Sequence, residues 1–118
     1  MTVFLWSGCA TPVGQFVDPD LPIDVIKGQS FEIVLESNPT TGYAWGLAKR
    51  IENHMVNLVT NEYHAKETSL VGSGGAEVWT FVARHDGTTT ITLAYRRPWE
   101  KEAPPAMTRV FRINIRKG

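Results

Sequence analysis

The stretch RVFRINIR, Arg109 to Arg116, decides the fold class. Phe111, Ile113 and Ile115 alternate with Arg112, Asn114 and Arg116. Period two puts successive side chains on opposite faces of an extended chain. One face is therefore dry and the other wet, the pattern of an antiparallel sheet with one solvated side. The same period recurs upstream. SFEIVLE sets Phe31, Ile33 and Leu35 against Glu32, Val34 and Glu36. VWTFVA sets Trp79, Phe81 and Ala83 against Val78, Thr80 and Val82, and TTITLAY groups Ile91, Leu93 and Tyr95. LAKRIENHMVNLVTNEY is compatible with a short helical turn, although Val56 to Tyr63 also reads as a strand.

Turn chemistry separates these runs. Lys27-Gly28-Gln29 lies between IDVI and SFEIVLE, and Asp86-Gly87 reads as a tight hairpin between VWTFVAR and TTTITLAY. Proline and glycine otherwise collect in NPTTG, GSGG and RPWEKEAPP. About seven or eight short strands at such spacing predict an all-β, immunoglobulin-like antiparallel sandwich. Cys9 is the single cysteine, so the sandwich forms without an internal disulfide.

A length of 118 residues predicts one domain, residues 1–118, with enough chain to bury a core unaided. Twelve basic and twelve acidic residues give a formal net charge of zero. That balance argues against nucleic acid, whose phosphates require a basic face, and against electrostatic membrane binding. No stretch is long enough to span a bilayer as a helix. Gly8-Cys9 ends like a lipoprotein signal, but the segment before it lacks a basic start and a long apolar run. The plainer expectation is a buried Cys9 near an N-terminal strand. The compartment stays open among periplasmic, secreted and vesicular.

Catalytic patterns are sparse. His54, His64 and His85 show no metal-ligand spacing, although Glu62 lies near His64. No G-x-S-x-G elbow is present, and VGSGGAE lacks the lysine of a phosphate loop. Thr40 and Thr41 are weak nucleophiles with no base beside them. These readings predict a non-enzyme that works without cofactor or metal.

The three breaks, taken together, resemble the chagasin family of papain-like cysteine protease inhibitors. That family carries N-P-T-T-G-aromatic-x-W, G-x-G-G and R-P-W loops in this order. Here they are Asn38-Pro39-Thr40-Thr41-Gly42-Tyr43-Ala44-Trp45, then Gly72-Ser73-Gly74-Gly75, then Arg97-Pro98-Trp99. The likeness runs from about Leu21 to Arg116, and residues 1–20 form an N-terminal extension outside it. Tyr43 stands where the family often has Phe, and EKEAPPAM lengthens the third loop.

The resemblance implies an immunoglobulin-like sandwich whose three loops share one end and plug a protease cleft. Thr40 and Thr41 would lie closest to the enzyme's catalytic Cys and His. The partner implied is a papain or cathepsin L type enzyme, held reversibly and competitively by a monomer. Local chemistry supports such roles. Pro39 and Gly42 stiffen the first loop, with Asn38 and the threonine hydroxyls bonding back to its backbone. Gly72, Gly74 and Gly75 permit close backbone approach, with Leu70 or Val71 adding an apolar contact. Arg97 and Trp99 are residue types that carry interface energy, and Arg97 either meets a carboxylate or braces its loop. Trp45, Trp79 and Tyr95 read as core, whereas Tyr43 fits either a brace or an interface residue. Two rival expectations are an immunoglobulin-like module for another protein partner and a small hydrolase or metal enzyme using Glu62, His64 or His85.

Overall fold

The computed structural model describes residues 14–65, 74–100 and 102–118. Eight strands follow in order: β1 (Gln15–Phe16), β2 (Ile23–Ile26), β3 (Ser30–Ser37), β4 (Ala44–Leu47), β5 (Val56–Ala65), β6 (Gly75–Ala83), β7 (Gly87–Arg96) and β8 (Met107–Arg116). They form two four-stranded sheets, β1-β3-β6-β5 and β2-β8-β7-β4. The alternation in the sequence sets which face of each strand turns inward. Phe31, Ile33, Phe81, Ile91, Leu93, Phe111 and Ile113 are fully buried between the sheets. Phe31 stacks on Phe81 with ring centroids 5.7 Å apart, and Trp79 on Phe81 at 6.4 Å. Burying each such side chain stabilises the fold by about 1.5–3 kcal/mol, so this layer dominates cohesion. Trp45, Trp79 and Tyr95 lie in the core, as their positions predict.

Two features depart from the sequence expectation. The sheets are not wholly antiparallel, because β1 runs parallel to β3 and β2 parallel to β8. Both parallel pairs sit at sheet edges. A parallel pair needs a long connection, and here the intervening chain provides it by visiting the other sheet. The second departure is at Asp86-Gly87. This turn does not close a hairpin, since β6 belongs to one sheet and β7 to the other. Arg84 N donates to Met55 O at 2.7 Å, and Gly87 takes φ 135°, as the chain crosses between layers. Local turn chemistry signals a reversal but not which sheet receives the next strand. The segment Val56–Ala65 is a strand throughout, preceded by a short turn at 53–55.

The register places the described stems of all three sequence breaks at one end of the sandwich. Ser37 pairs with Gly75, Ala65 with Gly75, Ala44 with Arg96 and Tyr95 with Met107. The chain therefore leaves β3, β5 and β7 at the same level. The expectation for Cys9 falls outside the described residues, as do those for Leu70, Val71 and Gly72.

Candidate functional site

The first loop is a tight, self-bonded turn. Pro39–Thr41 form one turn of 3-10 helix with Asn38 as N-cap at φ −133°. Proline at the first helical position costs no hydrogen bond, and Asn is a preferred cap. The Asn38 side chain accepts from Thr40 N at 3.2 Å and from Thr40 Oγ1 at 2.5 Å. Thr41 Oγ1 donates to Asn38 O at 2.7 Å. Gly42 closes the turn at φ 86°, its N–H donating to Pro39 O at 2.9 Å. An L side chain at that φ is strained, so glycine is required by the backbone alone. Pro39, Thr40 and Thr41 form the exposed crest, with Asn38, Gly42 and Tyr43 half-buried behind it.

The crest rests on an aromatic stack. Tyr43 stacks on Tyr95 at 5.2 Å, and Tyr95 lies against Trp45 at 5.0 Å. The Tyr95 hydroxyl accepts from Asn38 N at 3.0 Å, which ties the loop to the opposite sheet. Trp45 Nε1 donates to Glu36 O at 2.8 Å. Tyr43 thus acts as a brace, one of the two roles its position left open.

The third loop is fastened to the first. Arg97 lies over the Tyr43 ring, 4.7 Å from its centroid, and its Nε donates to Thr41 O at 3.3 Å. Its guanidinium also meets Glu100 at 3.5 Å. Arg97 thus braces the loops, one of the two roles its position left open, and the carboxylate it meets here is this chain's own Glu100. Pro98 and Trp99 project outward, and Trp99 is 67% exposed. Such exposure of an indole contrasts with the buried Trp45 and Trp79. Trp99 nevertheless has a fixed neighbour. A Cβ built on Gly42 would lie 2.6 Å from the indole edge.

Of the second loop, Gly74 and Gly75 are described. Gly74 takes φ 80°, and a Cβ there would stand 3.1 Å from Ser37 O and 3.4 Å from Asn38 Cβ. A Cβ on Gly75 would collide with the His64 carbonyl of β5. Close backbone approach was anticipated at these glycines, and the approach observed is within the chain, to β3 and β5. Gly75 therefore has a folding reason independent of any partner.

One residue of this region escaped the sequence reading. Glu77 points inward from β6 and is buried. Its Oε2 accepts from Ser37 Oγ at 2.8 Å and from Trp45 N at 3.1 Å, and Oε1 accepts from Trp79 Nε1 at 3.2 Å. Continuing the alternation of Phe81 and Trp79 back by one step places Glu77 on the dry face. That extension was the available signal.

His54 and His85 lie at the opposite end of the sandwich, and His64 lies on β5 beside Gly75. His64 Nε2 is 3.4 Å from Glu62 Oε1, with both side chains well exposed, and His85 meets Asp86 at 3.5 Å. Among the described residues, no three His, Cys, Asp or Glu side chains gather as a metal site would need. No helix among them is long and apolar enough to cross a membrane.

Comparison with known proteins adds to this geometry. Residues 24–115 match the model of the Chagasin family peptidase inhibitor I42. Chagasin of Trypanosoma cruzi is 39% identical over 80 residues, covering 65% of this chain and 73% of chagasin. Amoebiasin-1 of Entamoeba histolytica is 34% identical over 99 residues, covering 79% of this chain and 86% of that one. Among solved structures, the cysteine protease inhibitor EhICP2 from Entamoeba histolytica superposes with a TM-score of 0.72 at 24% identity, covering 90% of this chain and all of its own. That last likeness is one of fold.

Proposed function

The chain belongs to the chagasin family of peptidase inhibitors, and from that membership and the loop geometry we propose how it inhibits papain-like cysteine proteases: by reversible occlusion of the active-site cleft. It is an inhibitor and not an enzyme. The three loops at one end of the sandwich form the inhibitory face. Asn38, Pro39, Thr40, Thr41, Gly42 and Tyr43 make its centre, Arg97, Pro98 and Trp99 one flank, and Leu70, Val71, Gly72, Gly74 and Gly75 the other.

The observation that carries this reading is the bonding of the first loop. Thr40 and Thr41 hydroxyls both donate inward, to Asn38 Oδ1 and Asn38 O. A hydroxyl has one proton and two lone pairs, so both threonines keep acceptor capacity, although Thr41 Oγ1 also accepts from Tyr43 N at 3.4 Å. Acceptors suit a cleft whose histidine presents an N–H. The turn itself is 3-10 and not extended. A protease cleaves extended chain, so this crest fills the cleft without offering a scissile bond in reactive geometry. Because the loop is already ordered, binding loses little conformational entropy. An interface of standard size supports nanomolar affinity, about −12 kcal/mol.

Alkylation tests the occlusion. Papain mixed with an excess of the inhibitor is treated with iodoacetamide. Occlusion predicts that the catalytic cysteine stays unmodified in the complex and reacts once the complex dissociates. Alkylation at the free-enzyme rate, with the inhibitor bound, would place the contact outside the cleft.

A further inference from the structure

We propose that Glu77 is the positioning residue of the first loop, its carboxylate clamping both stems so that Asn38 to Tyr43 stand ready to bind. The proposal rests on the first loop being the centre of the inhibitory face. Its basis is one oxygen with two partners. Oε2 accepts from Ser37, the residue before Asn38, and from the Trp45 amide, two residues after Tyr43. Those stems lie in different sheets, since β3 belongs to one and β4 to the other. A single carboxylate on β6 therefore sets the span across which the loop is strung. Oε1 is held separately, by Trp79 Nε1, and takes no part in the stem contacts.

The chemistry fits positioning better than filling. A buried charge is costly unless hydrogen-bonded, and an apolar residue would fill the same volume more cheaply. An ionised carboxylate is acceptor-only, with about four lone-pair sites. Among the described residues its partners are three neutral donors, which is the set an acceptor-only group satisfies. A glutamine would not do so. Whichever way its amide turns, an N–H group faces an N–H donor of Trp45 or Trp79. The Tyr95 hydroxyl, accepting from Asn38 N, makes the complementary cross-sheet tie from the other layer.

Three variants of the full chain test the clamp: Ser37→Ala and Glu77→Met, which break the stem contacts, and Trp79→Phe, which removes only the Oε1 arm. Two readouts are taken on each: amide hydrogen exchange and the inhibition constant against papain with a fluorogenic dipeptide substrate. Exchange is expected to quicken at the Thr41, Gly42 and Trp45 amides in the first two variants, with β7 and β8 amides unchanged. Their inhibition constants are expected to rise about tenfold, the loss of one well-made hydrogen bond to a charged group. Trp79→Phe is expected to lower the melting temperature and leave both readouts of the loop as in the parent. Unchanged loop exchange in Ser37→Ala and Glu77→Met overturns the clamp. Faster loop exchange with an unchanged inhibition constant overturns the choice of this loop as the binding centre. Equal loss of inhibition in all three, following melting temperature, reduces Glu77 to a general stabiliser and overturns the proposal.

Discussion

The indole of Trp99 lies against Gly42 so closely that a Cβ on the glycine would stand 2.6 Å from it. This contact joins the first and third loops into one surface. It also explains why Trp99 can be 67% exposed yet fixed in direction. Gly42 thus answers to two demands, a positive φ of 86° and a missing side chain. A methyl added at Gly42 would strain the turn and push the indole aside. The coupling is measurable by a double-mutant cycle of Gly42→Ala and Trp99→Ala, read as inhibition constants. The two losses are expected to be non-additive by about 0.5–3 kcal/mol, the range for residues in contact. Strict additivity would mean that the contact is without consequence for binding.

Trp99→Ala alone is expected to weaken inhibition by more than about 1 kcal/mol, as truncation of an interface tryptophan does. Its melting temperature should barely move, because the side chain contributes little to the core. An unaltered inhibition constant would remove Trp99 from the face.

Arg97→Lys should weaken inhibition despite keeping the charge. The guanidinium lies over the Tyr43 ring, 4.7 Å from its centroid, while its Nε reaches Thr41 O. An ammonium lacks the plane and the fixed fork of donors that a guanidinium has. We expect the inhibition constant to rise several-fold, about 1 kcal/mol for one hydrogen bond and part of a cation–π contact. Full activity of the lysine variant would show that Arg97 acts only through charge.

Gly75→Ala is expected to destabilise the fold itself, by about 1–3 kcal/mol, the usual cost of overpacking. The added methyl meets the His64 carbonyl of the neighbouring strand. Urea denaturation checks this without any protease. A variant as stable as the parent would show that β5 yields at that point. Because of this clash, loss of inhibition in Gly75→Ala is weak evidence for a protease contact there.

Much of the architecture was legible in the sequence, because burial on one face imposes period two. Phe111, Ile113 and Ile115 declared their strand, and so did Phe31, Ile33 and Leu35. Strand direction and sheet membership were not legible. Gln15–Phe16 is too short to show a period, and the parallel partner of β2 lies at the far end of the chain. Asp86-Gly87 advertised a reversal, yet the chain there crosses between sheets, a matter of global packing. Within the site, the stiffness of Asn38 to Gly42 followed from residue types alone. The reach of Arg97 to Tyr43 and Thr41 and the contact of Trp99 with Gly42 did not, since they join segments distant in sequence. Glu77 was hidden because a charged residue on a dry face looks like an end of the pattern and not a member of it.

On the proposed mechanism, the loop end of this sandwich occludes a papain-like active site. Steady-state inhibition of papain or a cathepsin L type enzyme tests it most directly, with the inhibitor varied against several substrate concentrations and trypsin as control. Occlusion predicts tight, reversible and competitive inhibition of the cysteine enzyme, with trypsin untouched. Inhibition that substrate cannot relieve, or none at micromolar protein, would contradict it and bring forward the reading of a binding module for another protein.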